Sequence, residues 1–154
     1  MKVKLAPGAY MPERAHPTDA GLDLRSPVSI EIKPAIPNAD RNLFGMYLFS
    51  KSCCAAIDTG VHVEIPHGYF GKIETKSGLN RNHQIVCCGG VIDENYRGPI
   101  VVMVYNFSNE PYIIKAGDKI AQMVIQPYAA PDLELVTELG DTDRGDAGFG
   151  STGR

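Results

Sequence analysis

Sixteen glycines and eleven prolines are scattered through 154 residues, and this punctuation constrains the fold more than any other feature. Proline interrupts helix interiors and central sheet ladders, and glycine weakens both, so an element has only a few residues in which to run. Many short strands satisfy that condition, whereas long helices do not. Segments with period-two alternation fill the intervals: Leu22–Leu24, Ile30–Ile32, and Val61-His62-Val63-Glu64-Ile65 closed by Pro66-His67-Gly68. Ile100–Tyr105 is β-branched and almost continuously apolar, the pattern of a strand buried on both faces, and Ile120–Ile125 supplies another strand. Asp58-Thr59-Gly60, Ser77-Gly78, Gly89-Gly90 and Lys115-Ala116-Gly117-Asp118 supply turns. The expectation is an all-β fold, a sandwich or a jelly-roll-like barrel, with at most a short helix, around Ser77 to Asn82 or within residues 38–50.

This length suits one core, and 44% hydrophobic against 21% charged residues is a globular balance. A net charge of −3 gives no basic field for a nucleic-acid backbone, so no nucleic-acid partner is expected. No apolar run approaches the ~20 residues of a membrane helix, and Met1-Lys2-Val3-Lys4 leads into Pro7-Gly8 without a signal-peptide core. A cytoplasmic protein, neither secreted nor membrane-bound, is expected. Cys53-Cys54 and Cys87-Cys88 are adjacent pairs, a spacing that turns neighbouring sulfurs to opposite faces of a strand and disfavours zinc. They read as small, reduced, buried hydrophobes. Two stretches depart from the strand pattern: an insert near 34–56 carrying the apolar cluster Leu43–Phe49, and a glycine-rich arm over 140–154 that follows the barrel domain of residues 1–139. The arm is read as mobile, with one aromatic and one arginine that act when a ligand is present.

Three segments carry chemistry. Gly148-Phe149-Gly150-Ser151-Thr152-Gly153 matches G-x-G-x-x-G, but a dinucleotide fingerprint opens a helix and the chain stops one residue later. What remains is a run of backbone N–H groups and two hydroxyls near Arg144, suited to a polyphosphate or to a frayed end. Thr75-Lys76-Ser77-Gly78 joins a cation, hydroxyls and a glycine, a phosphate-binding set that is also an ordinary surface turn. Gly89–Gly98 places Asp93, Glu94, Tyr96 and Arg97 at the mouth of a hairpin, a pattern that suits one carboxylate beside Ile92 acting as a general base and equally a solvated hairpin tip. His16, His62, His67 and His83 show no metal or triad spacing.

In order along the chain, these segments resemble the five motifs of the trimeric dUTP diphosphatases (dUTPases). The matches are Asp19-Ala20-Gly21-Leu22-Asp23-Leu24, then Lys76-Ser77-Gly78-Leu79, Gly90 to Gly98, Gly117-Asp118-Lys119-Ile120-Ala121-Gln122, and Arg144 to Gly153. The resemblance implies a jelly-roll protomer, a homotrimer with shared active sites, and hydrolysis of dUTP to dUMP and pyrophosphate with Mg²⁺. It gives Asp93 the role of activating the water that attacks the α-phosphorus, and Tyr96 that of packing against the deoxyribose. Gly90, Val91, Ile92 and Val101 would read uracil. Lys76, Ser77, Gly78 and Gln122 would contact phosphates, and Asp23 would meet Mg²⁺ through water. From the arm, Phe149 and Gly150 would cover the base while Arg144, Ser151 and Thr152 close over the phosphates.

Three positions depart from the family pattern: Lys76 stands where arginine is commoner, Ala147 where glycine is, and Leu22 where an aromatic residue often is. A dCTP deaminase shares the fold, but it places a catalytic glutamate in the strand after the hairpin, where this chain has Ile100-Val101-Val102-Met103-Val104. A noncatalytic member of the fold that binds nucleotide or protein would have no need of Asp93.

Overall fold

The structure is a computed structural model that describes residues 1–34, 53–143 and 145. Among these residues the chain forms eleven strands and one helix. They are β1 (Lys2–Leu5), β2 (Gly21–Arg25), β3 (Ile30–Ile32), β4 (Cys54–Asp58), β5 (Val61–Glu64), β6 (Tyr69–Glu74), α1 (Ser77–His83), β7 (Ile85–Cys88), β8 (Val91–Ile92), β9 (Val101–Asn106), β10 (Tyr112–Ile114) and β11 (Lys119–Pro127). The strands pair antiparallel in four sheets: β2-β11-β6-β8, β4-β9-β7, β1-β5 and β10-β3. The non-consecutive neighbours, β2 beside β11 and β3 beside β10, are those of a jelly-roll-like wrap rather than a meander. The insert's apolar cluster and residues 38–50, the alternative place named for the short helix, lie outside the described residues.

One core joins the sheets. Leu24, Ile57, Ile85, Val102, Val104 and Met123 are all fully buried within it, and they come from both larger sheets. The strand expected to be buried on both faces runs instead from Val101 to Asn106 and alternates, with Val102, Val104 and Asn106 inward and Val101 exposed. Its β-branched run reflects β propensity on both faces, not burial of both. Of the cysteines, Cys53 and Cys87 are buried but Cys88 is exposed, as the pleat requires of adjacent residues.

The short helix expected around Ser77 to Asn82 is α1, so Ser77 and Gly78 open a helix and do not form a free turn. The helix lasts only seven residues. It ends at Gln84, whose left-handed φ of 55° lets its N–H return to Asn80 O, while Arg81 and His83 sit in the last turn, where positive charge suits the helix dipole.

Gly89 leads into β8, and a Cβ built there lies 2.6–2.8 Å from three side-chain atoms of Ile73. Gly89→Ala is therefore expected to lower stability by about 1–3 kcal/mol through overpacking, read as a lower midpoint in urea with unchanged slope.

Candidate active site

Strand β11 assembles the polar end of the site. Its Gln122 is the register partner of Asp23 on β2 and of Glu74 on β6, so the first-motif carboxylate, the loop after β6 and the fourth-motif glutamine meet on one sheet. Gln122 Nε2 donates to Thr75 O at 3.2 Å, which ties the strand to the start of the Lys76 loop. The glutamine side chain lies over Gly21, where a Cβ would stand 2.2 Å from Oε1. Glycine in the first motif thus makes room for the fourth.

Asp23 is 4% exposed, yet it is charged and paired twice. Lys76 Nζ donates to Oδ1, and Lys119 Nζ lies 2.6 Å from Oδ2 as a close ion pair rather than an aligned hydrogen bond. Burial acts to raise the carboxyl pKa, but the ammoniums of Lys119 and Lys76 together outweigh it and hold the group below the usual carboxylate range. Lys119 was absent from the sequence-derived site. The signal for it was the lysine three residues before Gln122, which a bulge between Lys119 and Ala121 turns back toward β2.

The hairpin after β8 forms the other end. Ile92 is buried opposite Gly71, whereas Val91 is 59% and Tyr96 40% exposed and Asp93 faces solvent. Gly90 O accepts from Ile73 N at 3.2 Å, and Tyr96 N closes a turn onto Asp93 O at 3.1 Å. The Tyr96 hydroxyl donates to Pro99 O at 3.0 Å, and its ring fills the space a Cβ on Gly98 would need. Phe70, Val91, Asp93, Glu94, Asn95 and Tyr128 line a cavity of about 490 Å³ beside this turn.

The two ends do not meet within one chain. β2 and β8 lie at opposite edges of the four-stranded sheet, and Ile92 is registered three residues along β6 from the level of Gln122. Standard strand spacing and rise separate Asp23 from Asp93 by roughly 15–20 Å. Ser77 and Gly78 stay with Lys76, Val101 lies on the return strand β9, and Arg144, Phe149, Gly150, Ser151 and Thr152 fall outside the described residues.

No three His, Cys, Asp or Glu side chains gather to hold a metal among the described residues. A divalent cation carried by phosphate oxygens needs less from the protein, an acceptor for its bound water. Asp23 offers anionic oxygens of the right kind for this, with Oδ2 already facing the Lys119 ammonium at 2.6 Å.

The chain is thus an antiparallel protein of the jelly-roll-like class, whose four-stranded sheet carries a buried carboxylate bracketed by ammoniums at one end and a glycine-bounded acidic hairpin at the other. Comparison with known proteins narrows this. The dUTPase family model matches residues 43–153. A deoxyuridine 5'-triphosphate nucleotidohydrolase of Clostridium kluyveri is 42% identical over 147 residues, covering 94% of this chain and 91% of its own. A variant of the Staphylococcus bacteriophage 80alpha dUTPase, solved with dUpNHpp, superposes with a TM-score of 0.82 at 30% identity and covers 99% of this chain and 98% of its own. A variant of the dUTPase from phage phi11 of S. aureus, solved to reveal the coordination of a structural Mg(II) ion, has a TM-score of 0.72 at 30% identity, with 89% and 96% covered. The chain belongs to the dUTPase family.

The Asp23 pairing has a pH signature. Folding holds the carboxyl below its unfolded value of about 3.9, so its contribution is complete above that value and is lost as pH falls through the lower, folded one. Asp23→Asn leaves two half-buried ammoniums unpaired and is expected to cost about 1–3 kcal/mol at pH 7. The gap to wild type in thermal melts should close as pH drops below about 4.

Proposed function

We propose that this chain hydrolyses dUTP to dUMP and pyrophosphate, with Asp93 as the base that polarises the attacking water. The observation that carries the reading is the meeting of Asp23 and Gln122 at one sheet register with Lys76, from the loop after β6, bonded to Asp23: a carboxylate, a cation and an amide at one place. In this assignment Lys76, Ser77, Gly78 and Gln122 take the phosphates, and Lys76 contributes a point charge where an arginine would give a fork. Asp93, exposed on its turn, holds the nucleophilic water by accepting its proton as the bond to the α-phosphorus forms. Gly90, Val91 and Ile92 present main-chain groups to uracil with Val101 on the facing strand, and Tyr96 occupies the space beside C2′. Mg²⁺, when bound, neutralises triphosphate charge and polarises the phosphoryl oxygens. Asp23 Oδ2 is the group assigned to its hydration shell. From the arm, Phe149 and Gly150 cover the base, and Arg144, Ser151 and Thr152 close on the phosphates.

The assembly assigned is a homotrimer with shared sites. The separation of the two ends supports it, because one chain alone leaves Asp93 far from the phosphates. Leu133, Leu135 and Leu139 support it too, at 97%, 100% and 88% exposed on one stretch after β11. Burying each such side chain against a neighbour is worth roughly 1.5–3 kcal/mol. The four free cysteines suit a reducing cytoplasm. No helix among the described residues is long and apolar enough to cross a membrane.

Pyrophosphate release should be rapid with dUTP and far slower with dCTP, dTTP and UTP. Asp93→Asn should keep the fold and dUpNHpp binding while losing about two to four orders of magnitude in kcat, and wild-type turnover in that variant would refute the assignment. Light scattering should give a trimer. Replacing Leu133 and Leu135 together by aspartate should lower the mass toward the monomer and reduce activity in parallel, whereas a trimer unaffected by both charges would place the interface elsewhere.

A further inference from the structure

Asp93 sits on an exposed turn, and a general base must be held to a fraction of an ångström to be effective. The turn is braced internally by Tyr96 N on Asp93 O, and by Arg97 Nη1 on Glu94 O at 2.6 Å and on Tyr96 O at 2.9 Å. Those bonds fix its shape but not its place on the barrel. The next residue supplies the anchor. Glu94 Oε2 accepts from Gly68 N at 2.7 Å, and Oε1 is 3.0 Å from His67 Nδ1. Gly68 has φ +81°, a conformation that aims its N–H at the hairpin while its carbonyl accepts from Tyr128 N at 3.1 Å. The carboxylate therefore joins the hairpin to the β5–β6 turn, and Gly68 in turn joins that turn to the end of β11.

We propose that Glu94 is a positioning residue for the reaction, holding Asp93 in place by bonding the Gly68 amide. This rests on the reading of Asp93 as the base. A solvent-facing glutamate at a hairpin tip has no need of a backbone amide, and this one turns in to be only 26% exposed while its histidine partner is 96% exposed. The hydrogen bonds from His67 and Gly68 hold its carboxyl below the usual range, so it is an anion acceptor throughout the neutral region. The amide bond supplies direction, and His67, standing in solvent, adds an exposed contact of little weight.

The test compares Glu94→Ala, Glu94→Gln, His67→Ala and Asp93→Asn in steady-state and single-turnover hydrolysis of dUTP, with dUpNHpp affinity and thermal melting measured alongside. Glu94→Ala should lose about ten- to hundredfold in kcat and in the single-turnover rate, with KM and dUpNHpp affinity within about threefold. Glu94→Gln retains an acceptor for the Gly68 amide and should recover most of the rate, and His67→Ala should stay close to wild type. Wild-type kcat in Glu94→Ala beside an inactive Asp93→Asn overturns the positioning role and leaves the base assignment intact. Equal losses in the alanine and glutamine variants overturn it as well, because charge rather than the amide bond would then matter. An active Asp93→Asn removes the reading on which the proposal rests. Should the alanine variant fail to fold, Glu94→Asp, one methylene short of Gly68, decides the matter: a kcat loss at unchanged KM supports the anchor, and an unchanged kcat overturns it.

Discussion

A single strand with two partners determines the polar end of the candidate site. β11 is antiparallel to both β2 and β6, and the level at which Gln122 meets Asp23 and Glu74 fixes where the first, second and fourth motifs come together. A one-residue slip would send Gln122 to the opposite face and dissolve the constellation, and burial forbids that slip. Ile120, Ala121 and Met123 are all buried, which strict alternation does not allow for the first two. The bulge between Lys119 and Ala121 resolves the conflict by inserting a residue, and the same kink brings the Lys119 ammonium to Asp23. One local irregularity thus serves both packing and charge.

The Asp23 cluster shows which of two opposed effects prevails. A carboxylate with 4% exposure would protonate if left alone, but two ammoniums within ion-pair reach reverse that tendency. The lysine side chains are 25% and 35% exposed, so their heads keep water while their stems cover the carboxylate. An ammonium has three donors and no fixed plane, which lets Lys76 keep its carboxylate while offering a proton to a phosphate oxygen. The departure from arginine at this position therefore alters the geometry of phosphate contact without removing its charge.

Much of this was legible in the sequence, and the limits have physical causes. Strand positions followed from alternation and turn residues, because a pleated, half-buried surface imposes period two: Ile30–Ile32 is found as expected, and Val61–Glu64 ends one residue early. The Ile100–Tyr105 run misled about burial, since β-branched residues serve the exposed face of a strand as well as the buried one. The short helix expected around Ser77 to Asn82 is found as Ser77–His83, although it buries no residue of its own, so Ser77-Gly78 opens a helix where glycine alone reads as a turn. Lys119 and the Glu94 to Gly68 bond were not legible, because register and bulge, not spacing in the chain, bring those partners together. Family resemblance named the residues of both ends and implied sites shared between subunits, and the strand order shows how far apart those ends lie in one protomer.

That separation bears on the chemistry proposed. A water-activating carboxylate close to a buried ammonium pair would form a third ion pair, lose basicity and be drawn off its turn. Held at the far edge of the sheet, Asp93 stays solvated and free, while Asp23 absorbs the charge of Lys76 and Lys119. In the proposed reaction the two carboxylates would do different work because their surroundings differ: Asp23 is ion-paired beside the residues assigned to the phosphates, and Asp93 is exposed on its turn. In the proposed trimer, a second copy of the chain would bring them together. On this reading an isolated protomer holds each half-site in its resting charge state, and the complete constellation exists only in the assembly.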